Sequence, residues 1–147
     1  MASHHPIMTL DELTAFLDRE FPQIHLGGRS YFVDEIGPLT ARMRMEYHER
    51  HLRPGGTISG PAMMALADLA LYAAILAHIG PVALAVTTSL NFNFLRKPEP
   101  RALIADCRLL KLGKRLAVGD VSIYSEGSSD MVCHASGTYS IPDRRSN

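Results

Sequence analysis

From Pro61 to Leu76 the chain reads Pro61-Ala62-Met63-Met64-Ala65-Leu66-Ala67-Asp68-Leu69-Ala70-Leu71-Tyr72-Ala73-Ala74-Ile75-Leu76. Alanine, leucine and methionine favour the helix, and here they occupy every side of it rather than one stripe. A helix of that kind has to be surrounded. One carboxylate, Asp68, interrupts it. Its helical neighbours are Met64, Ala65, Leu71 and Tyr72, so no cation on the same face pairs with it. An ionised carboxylate in apolar surroundings is costly unless something bonds to it or uses it. The helix therefore needs an enclosing structure, and Asp68 needs a partner or a task.

The flanking segments supply the enclosure. Leu39, Ala41, Met43, Met45 and Tyr47 alternate with Thr40, Arg42, Arg44, Glu46 and His48, the pattern of a half-buried strand. Residues 31–36 suit a shorter strand. Beyond Gly80-Pro81, strands are expected over about 82–95, 102–110, 116–124 and 131–141, separated by Pro98 and Pro100, Gly113, and Gly127 to Asp130. Hairpin-like spacing implies antiparallel pairing. Thr9 and Glu12 have capping-box spacing and open an N-terminal helix, about 9–20. The expectation is an α+β fold in one domain, 1–147. A curved antiparallel β-sheet wraps a long central helix, about 60–79, with a flexible tail over 142–147. A second subunit covers what the sheet leaves bare.

Composition narrows the function. Fifteen basic and fifteen acidic side chains give no net charge, which argues against a nucleic-acid binder. Asp68 and His78 argue against a membrane span. Two cysteines without metal-type spacing, and an N-terminus unlike a secretory signal, suit a reduced cytoplasmic protein. Seven histidines show no metal spacing, and no nucleophile elbow, P-loop or dinucleotide fingerprint occurs.

Chemistry concentrates around the central helix. Arg53-Pro54-Gly55-Gly56-Thr57-Ile58-Ser59-Gly60 leads into it. The first helical turn has unpaired N–H groups at the positive end of the helix dipole. Ser59 or Gly60 is the cap, and the bare Gly60 lets a carbonyl approach its N–H, a geometry that stabilises an oxyanion. The same residues also suit a plain tight turn and N-cap. Asp68 suits a general base or a nucleophile, or else a carboxylate held by groups from elsewhere in the fold. Thr87 and Thr88 point to opposite strand faces unless a bulge intervenes, and both also suit a strand with no further role. Arg96, Lys97, Arg101, Lys111, Lys114 and Arg115 lie at strand ends, suited to phosphates or to a solvated rim. His48 and His51 flank the loop.

These residues, in this order, resemble the hotdog-fold acyl-CoA thioesterases of the phenylacetate-degradation (PaaI-like) type, from about Leu39 to Ile141. In that family a loop of pattern Asn-x-x-Gly-x-x-His-Gly-Gly opens the central helix, and an acidic residue follows about two turns later. Gly56, Gly60 and Asp68 match. Arg53, Ser59 and Pro61 stand where the family has Asn, His and Gly. Leu90 to Arg96 and Lys111 to Arg115 look like the family's strand before its Pro-rich turn and its next hairpin.

The resemblance implies hydrolysis of an acyl-CoA to free acid and coenzyme A, with no metal or separate cofactor. Gly60 would polarise the carbonyl. Asp68 from the facing subunit would activate water or attack directly, and Thr87 would orient that water. Arg53, Gly56 and Ser59 would line the substrate loop, and Arg96, Lys97, Lys114 and Arg115 would meet CoA phosphates. It also implies a homodimer or a dimer of dimers. The three departures keep a non-catalytic acyl-CoA binder open, and an enoyl-thioester hydratase ranks behind it.

Overall fold

A computed structural model describes residues 4–143; the rest of the expected tail lies outside the described residues. Helix α1 (Leu10–Glu20) precedes strands β1 (Tyr31–Gly37) and β2 (Thr40–Met45), then the central helix α2 (Gly60–Ile79). Strands β3 (Val86–Phe94), β4 (Leu103–Leu112), β5 (Leu116–Ser125) and β6 (Met131–Ser140) follow. Short 3₁₀ turns cover Pro22–His25 and Glu49–His51. Thr9 Oγ1 accepts from Glu12 N and the Glu12 carboxylate accepts from Thr9 N, so α1 starts with a capping box. Its Leu13, Phe16 and Leu17 are buried.

The six strands form one antiparallel sheet in the order β1-β2-β4-β5-β6-β3. This corrects the expectation of four strands paired in sequence. β3 pairs with β6 and not with β4. The residues between β3 and β4 include Pro98 and Pro100, which suit a crossing rather than a tight hairpin. β3 is thereby left as an edge strand.

α2 lies across the concave face. It is long and apolar enough to cross a membrane, with a mean hydropathy of 1.8, yet 83% of that stretch is buried inside the fold. Its bare strip is Pro61, Met64 and Ala65, one helical face by their spacing. The inward residues of the sheet are mostly small where the helix comes close. Gly119 and Gly137 are Cα partners on β5 and β6, and both lie under Leu71. A Cβ on Gly137 would stand 2.7 Å from Leu71 Cδ1, and one on Gly119 would stand 2.9 Å from Leu71 Cδ2. The glycine pair is a seat for Leu71 and sets the height of α2 above the sheet.

The far end of α2 is fixed by His78. Its Nε2 accepts from Leu39 N at 2.8 Å and its Nδ1 donates to Ala74 O at 2.7 Å. Both bonds require the neutral ring. They hold Leu39, expected inside β2, in a turn at φ 57°, a backbone region unusual for a branched side chain. Burial pushes the His78 pKa below its ordinary 6.5; His4 and His5 act the same way, and the Ala74 carbonyl opposes.

Two outcomes follow from this packing. Gly137→Ala should lower stability by about 1–3 kcal/mol in chemical denaturation, because the added methyl overpacks the seat. For His78, the folded chain holds the proton less tightly than the unfolded chain. Its contribution is complete above about pH 6.5 and is lost as pH falls through the lower folded value. The thermal midpoint should therefore drop between about pH 7 and pH 5, and His78→Gln should flatten that drop, leaving the parallel share of buried His51.

Candidate active site

Asp68 sits half-buried on α2, two turns from its N-terminus. It is not the unpaired charge that its helical neighbours suggest. Thr87 Oγ1 donates to Asp68 Oδ1 at 2.7 Å, and the Tyr139 hydroxyl donates to the same oxygen at 2.6 Å. Tyr139 also lies 3.1 Å from the Asp68 carbonyl oxygen. Oδ2 has no partner among the described residues. The two donors arrive together because Thr87 and Tyr139 are Cα partners across β3 and β6, and cross-strand partners share a face. A bulge follows, between Thr87 and Ser89. Thr88 still does not join the site, since its hydroxyl donates to Thr138 O.

Burial pushes the Tyr139 phenol far up, and the Asp68 carboxylate adds to the effect. The hydroxyl therefore remains a donor throughout the working range. Tyr72 stacks on it with centroids 6.2 Å apart and donates its own hydroxyl to Ala83 O. Phe21 meets Tyr72 edge-on at 6.1 Å, bringing the segment after α1 over the site as a roof.

Asp68 borders two cavities under that roof. One, of about 450 Å³, is lined by Phe21, Leu69, Tyr72, Ala85, Thr87 and Tyr139 among others. The second, of about 510 Å³, runs toward the helix N-terminus past Tyr31, His51, Ser59, Ala62 and Ala65. His51 is 5% exposed, its Nδ1 has no partner, and burial lowers its pKa. His48 stays away from the cavities and caps the 3₁₀ turn by accepting from Arg50 N. Arg50 ties the roof down through Gly27 O, Gly28 O and Ser30 Oγ.

The other end of α2 carries the glycine loop. Ser59 N donates to His51 O, Arg53 N to Thr57 O, and Gly56 N to Arg53 O. With a bridge between Leu52 and Ile58, the loop is a small closed hairpin. Gly55 and Gly56 turn it at φ 101° and 79°, so Gly56 acts through backbone shape. Ser59 is the N-cap and accepts from Ala62 N at 3.2 Å. Pro61 follows Gly60 in the first turn, and the Gly60 N–H meets no acceptor among the described residues.

A cavity of about 520 Å³ opens at Gly60. Arg53, Arg96 and Lys97 line it, and no carboxylate does. Lys114 and Arg115 do not join them. β3 runs from Val86, beside Ser140 and so near Leu116, to Phe94, a span of about 27 Å. The two basic groups thus sit at opposite ends of the sheet, and Arg115 pairs with Asp143 at 3.4 Å. One protomer does not bring both sets to one phosphate group.

Eight residues of helix separate Gly60 from Asp68, about 12 Å along the axis. One carbonyl cannot touch both within one chain. Among the described residues no group of His, Cys, Asp or Glu has the arrangement of a metal site. The residue that sequence reasoning missed is Tyr139. Its signal was the phase of β6, in which Ala135, Gly137 and Tyr139 face inward; a buried tyrosine hydroxyl needs a partner.

Comparison with known proteins bears on this geometry. The sequence profile of the thioesterase superfamily matches residues 55–132, which include the glycine loop, Asp68 and Thr87. A crystal structure from Silicibacter sp. TM1040, assigned as a thioesterase, shares 48% identity over 95% of this chain and 96% of its own, with a TM-score of 0.87. The phenylacetic acid degradation protein PaaI of Thermus thermophilus, solved as a point mutant, shares 27% identity over 82% of this chain and 99% of its own, with a TM-score of 0.70. An assigned esterase of Saccharolobus solfataricus is 26% identical over 92% of this chain and 81% of its own.

Proposed function

The chain belongs to the thioesterase superfamily, and from that premise we propose that it hydrolyses acyl-CoA thioesters to a free carboxylic acid and coenzyme A. The observation that carries the reading is Asp68: a carboxylate between two cavities, held by one oxygen and open at the other. The open oxygen suits proton abstraction from water. The unpaired Gly60 N–H, at the positive end of α2, suits the oxyanion that forms as water adds to the thioester carbonyl.

In that reaction the water oxygen bonds to the carbonyl carbon and its proton passes to Asp68. The tetrahedral intermediate then collapses, the carbon–sulfur bond breaks, and the leaving thiolate takes the proton back. Thr87 serves by binding Asp68, with any hold on the water coming second. Arg53 and Lys97, with Arg96, which also pairs with Asp130 at 3.8 Å, suit the anionic part of the substrate. Coenzyme A enters as part of the substrate.

The 12 Å between Gly60 and Asp68 supports a site shared by two protomers, each supplying one end of α2. Two bare surfaces suit such a homodimer: the strip of Pro61, Met64 and Ala65, and the free edge of β3, where Val86 is 50% and Phe94 48% exposed. The buried free thiols of Cys107 and Cys133 suit a reducing, cytoplasmic setting.

A second reading, a non-catalytic acyl-CoA binder, is favoured only by Arg53 and Ser59 in place of the family's Asn and His. Asp68→Asn separates the two. Its amide oxygen can still accept from Thr87 and Tyr139, so the fold survives, while the open oxygen becomes an NH₂ that cannot take a proton. Thiol release from a panel of aliphatic and aromatic acyl-CoAs should fall at least about a hundredfold. A folded variant as fast as wild type would remove Asp68 from the chemistry, and saturable binding without turnover by wild type would favour the binder.

A further inference from the structure

The two oxygens of Asp68 are not equivalent. Thr87 and Tyr139 both donate to Oδ1, at 2.7 and 2.6 Å, and Oδ2 has no partner among the described residues. We infer that Tyr139 is a positioning residue, which together with Thr87 ties down Oδ1 and leaves Oδ2 to take the proton from water. The inference rests on the hydrolytic reading above.

A purely structural tyrosine could satisfy its hydroxyl on the backbone, as Tyr72 does on Ala83 O. Tyr139 lies 3.1 Å from a backbone carbonyl, that of Asp68, but reaches the Asp68 carboxylate more closely, at a charge-assisted distance of 2.6 Å. It is well placed to do so without motion. Its residue is 3% exposed, its ring stacks on Tyr72, and its strand register with Thr87 fixes the direction of approach. Two donors on one oxygen fill its lone-pair directions and hold the carboxylate in one rotamer. Oδ2 is then presented in a constant direction, as proton transfer needs.

The charged and titratable groups around Asp68 are Glu20 from the end of α1, Arg50 and His51 before α2, Tyr31 on β1, Tyr72 on α2 and Tyr139 on β6. Of these, only Tyr139 hydrogen-bonds to Asp68. Removing its hydroxyl thus changes the environment of the base at one point.

The test is the measurement of kcat and KM for wild type, Tyr139→Phe, Thr87→Val and Thr87→Ser, on the acyl-CoA that wild type turns over fastest. Circular dichroism checks that each variant is folded. Tyr139→Phe keeps the stacked ring. It should lose about tenfold to a hundredfold in kcat and keep KM within about twofold. Thr87→Val should move the same way, and Thr87→Ser, which keeps the donor, should stay near wild type. A folded Tyr139→Phe with unchanged kcat overturns the inference while wild-type turnover leaves hydrolysis standing. So does a loss confined to KM. A wild type that turns over no thioester overturns both.

Discussion

Leu71 rests on two glycines, and the chemistry of the site depends on that contact. A side chain at Gly119 or Gly137 would force the Leu71 methyls and their neighbours to shift. Asp68 lies one turn before Leu71 on the helix; Tyr139 lies two residues beyond Gly137 on its strand. The hydrogen bond between them, at 2.6 Å, is therefore set by the same close approach. A shift of about half an ångström would carry it from a charge-assisted bond toward an ordinary one. Packing and the geometry of the candidate site share one dimension here, the distance from α2 to β6.

Along the other dimension α2 acts as a spacer. Its N-terminus carries an unpaired N–H and a proline suited to the first turn, and it borders a cavity lined by Arg53, Arg96 and Lys97. Its middle carries the carboxylate. A rigid helix keeps the two about 12 Å apart, too far for one reacting carbon. On the proposed reading, two antiparallel copies would solve this by placing the N-terminus of one helix beside the middle of the other. Such a pairing would use the bare strip of α2 and the free edge of β3.

The sheet wrapped on a helix was legible because period-two alternation and an all-round apolar helix admit few other solutions. The strand order was less so. Local spacing favours neighbours in sequence, while β3 pairs with the last strand, a choice made by long-range closure around α2. At the site, Asp68, Gly60 and Thr87 stood out by residue type against their surroundings. Tyr139 did not, because a tyrosine in a strand looks ordinary until its phase is known. Lys114 and Arg115 lie apart from Arg96 and Lys97 within one protomer for the same reason: proximity at strand ends depends on which strands pair. Ser59 illustrates the opposite case, since an N-cap is a local matter and was readable locally.

The central claim is that each site takes Gly60 from one chain and Asp68 from the other. Mixing two disabled chains tests it most directly. Asp68→Asn removes the base. Gly60→Pro removes the N–H at a position where helices tolerate proline, after a Ser59 already extended at ψ 154°. Each variant alone should be nearly inactive. Unfolded and refolded together in equal amounts, they should recover about one quarter of wild-type turnover, because half of the dimers are mixed and each of these has one intact site. A mixture no more active than its two components, with mixed dimers demonstrably formed, would contradict the shared site.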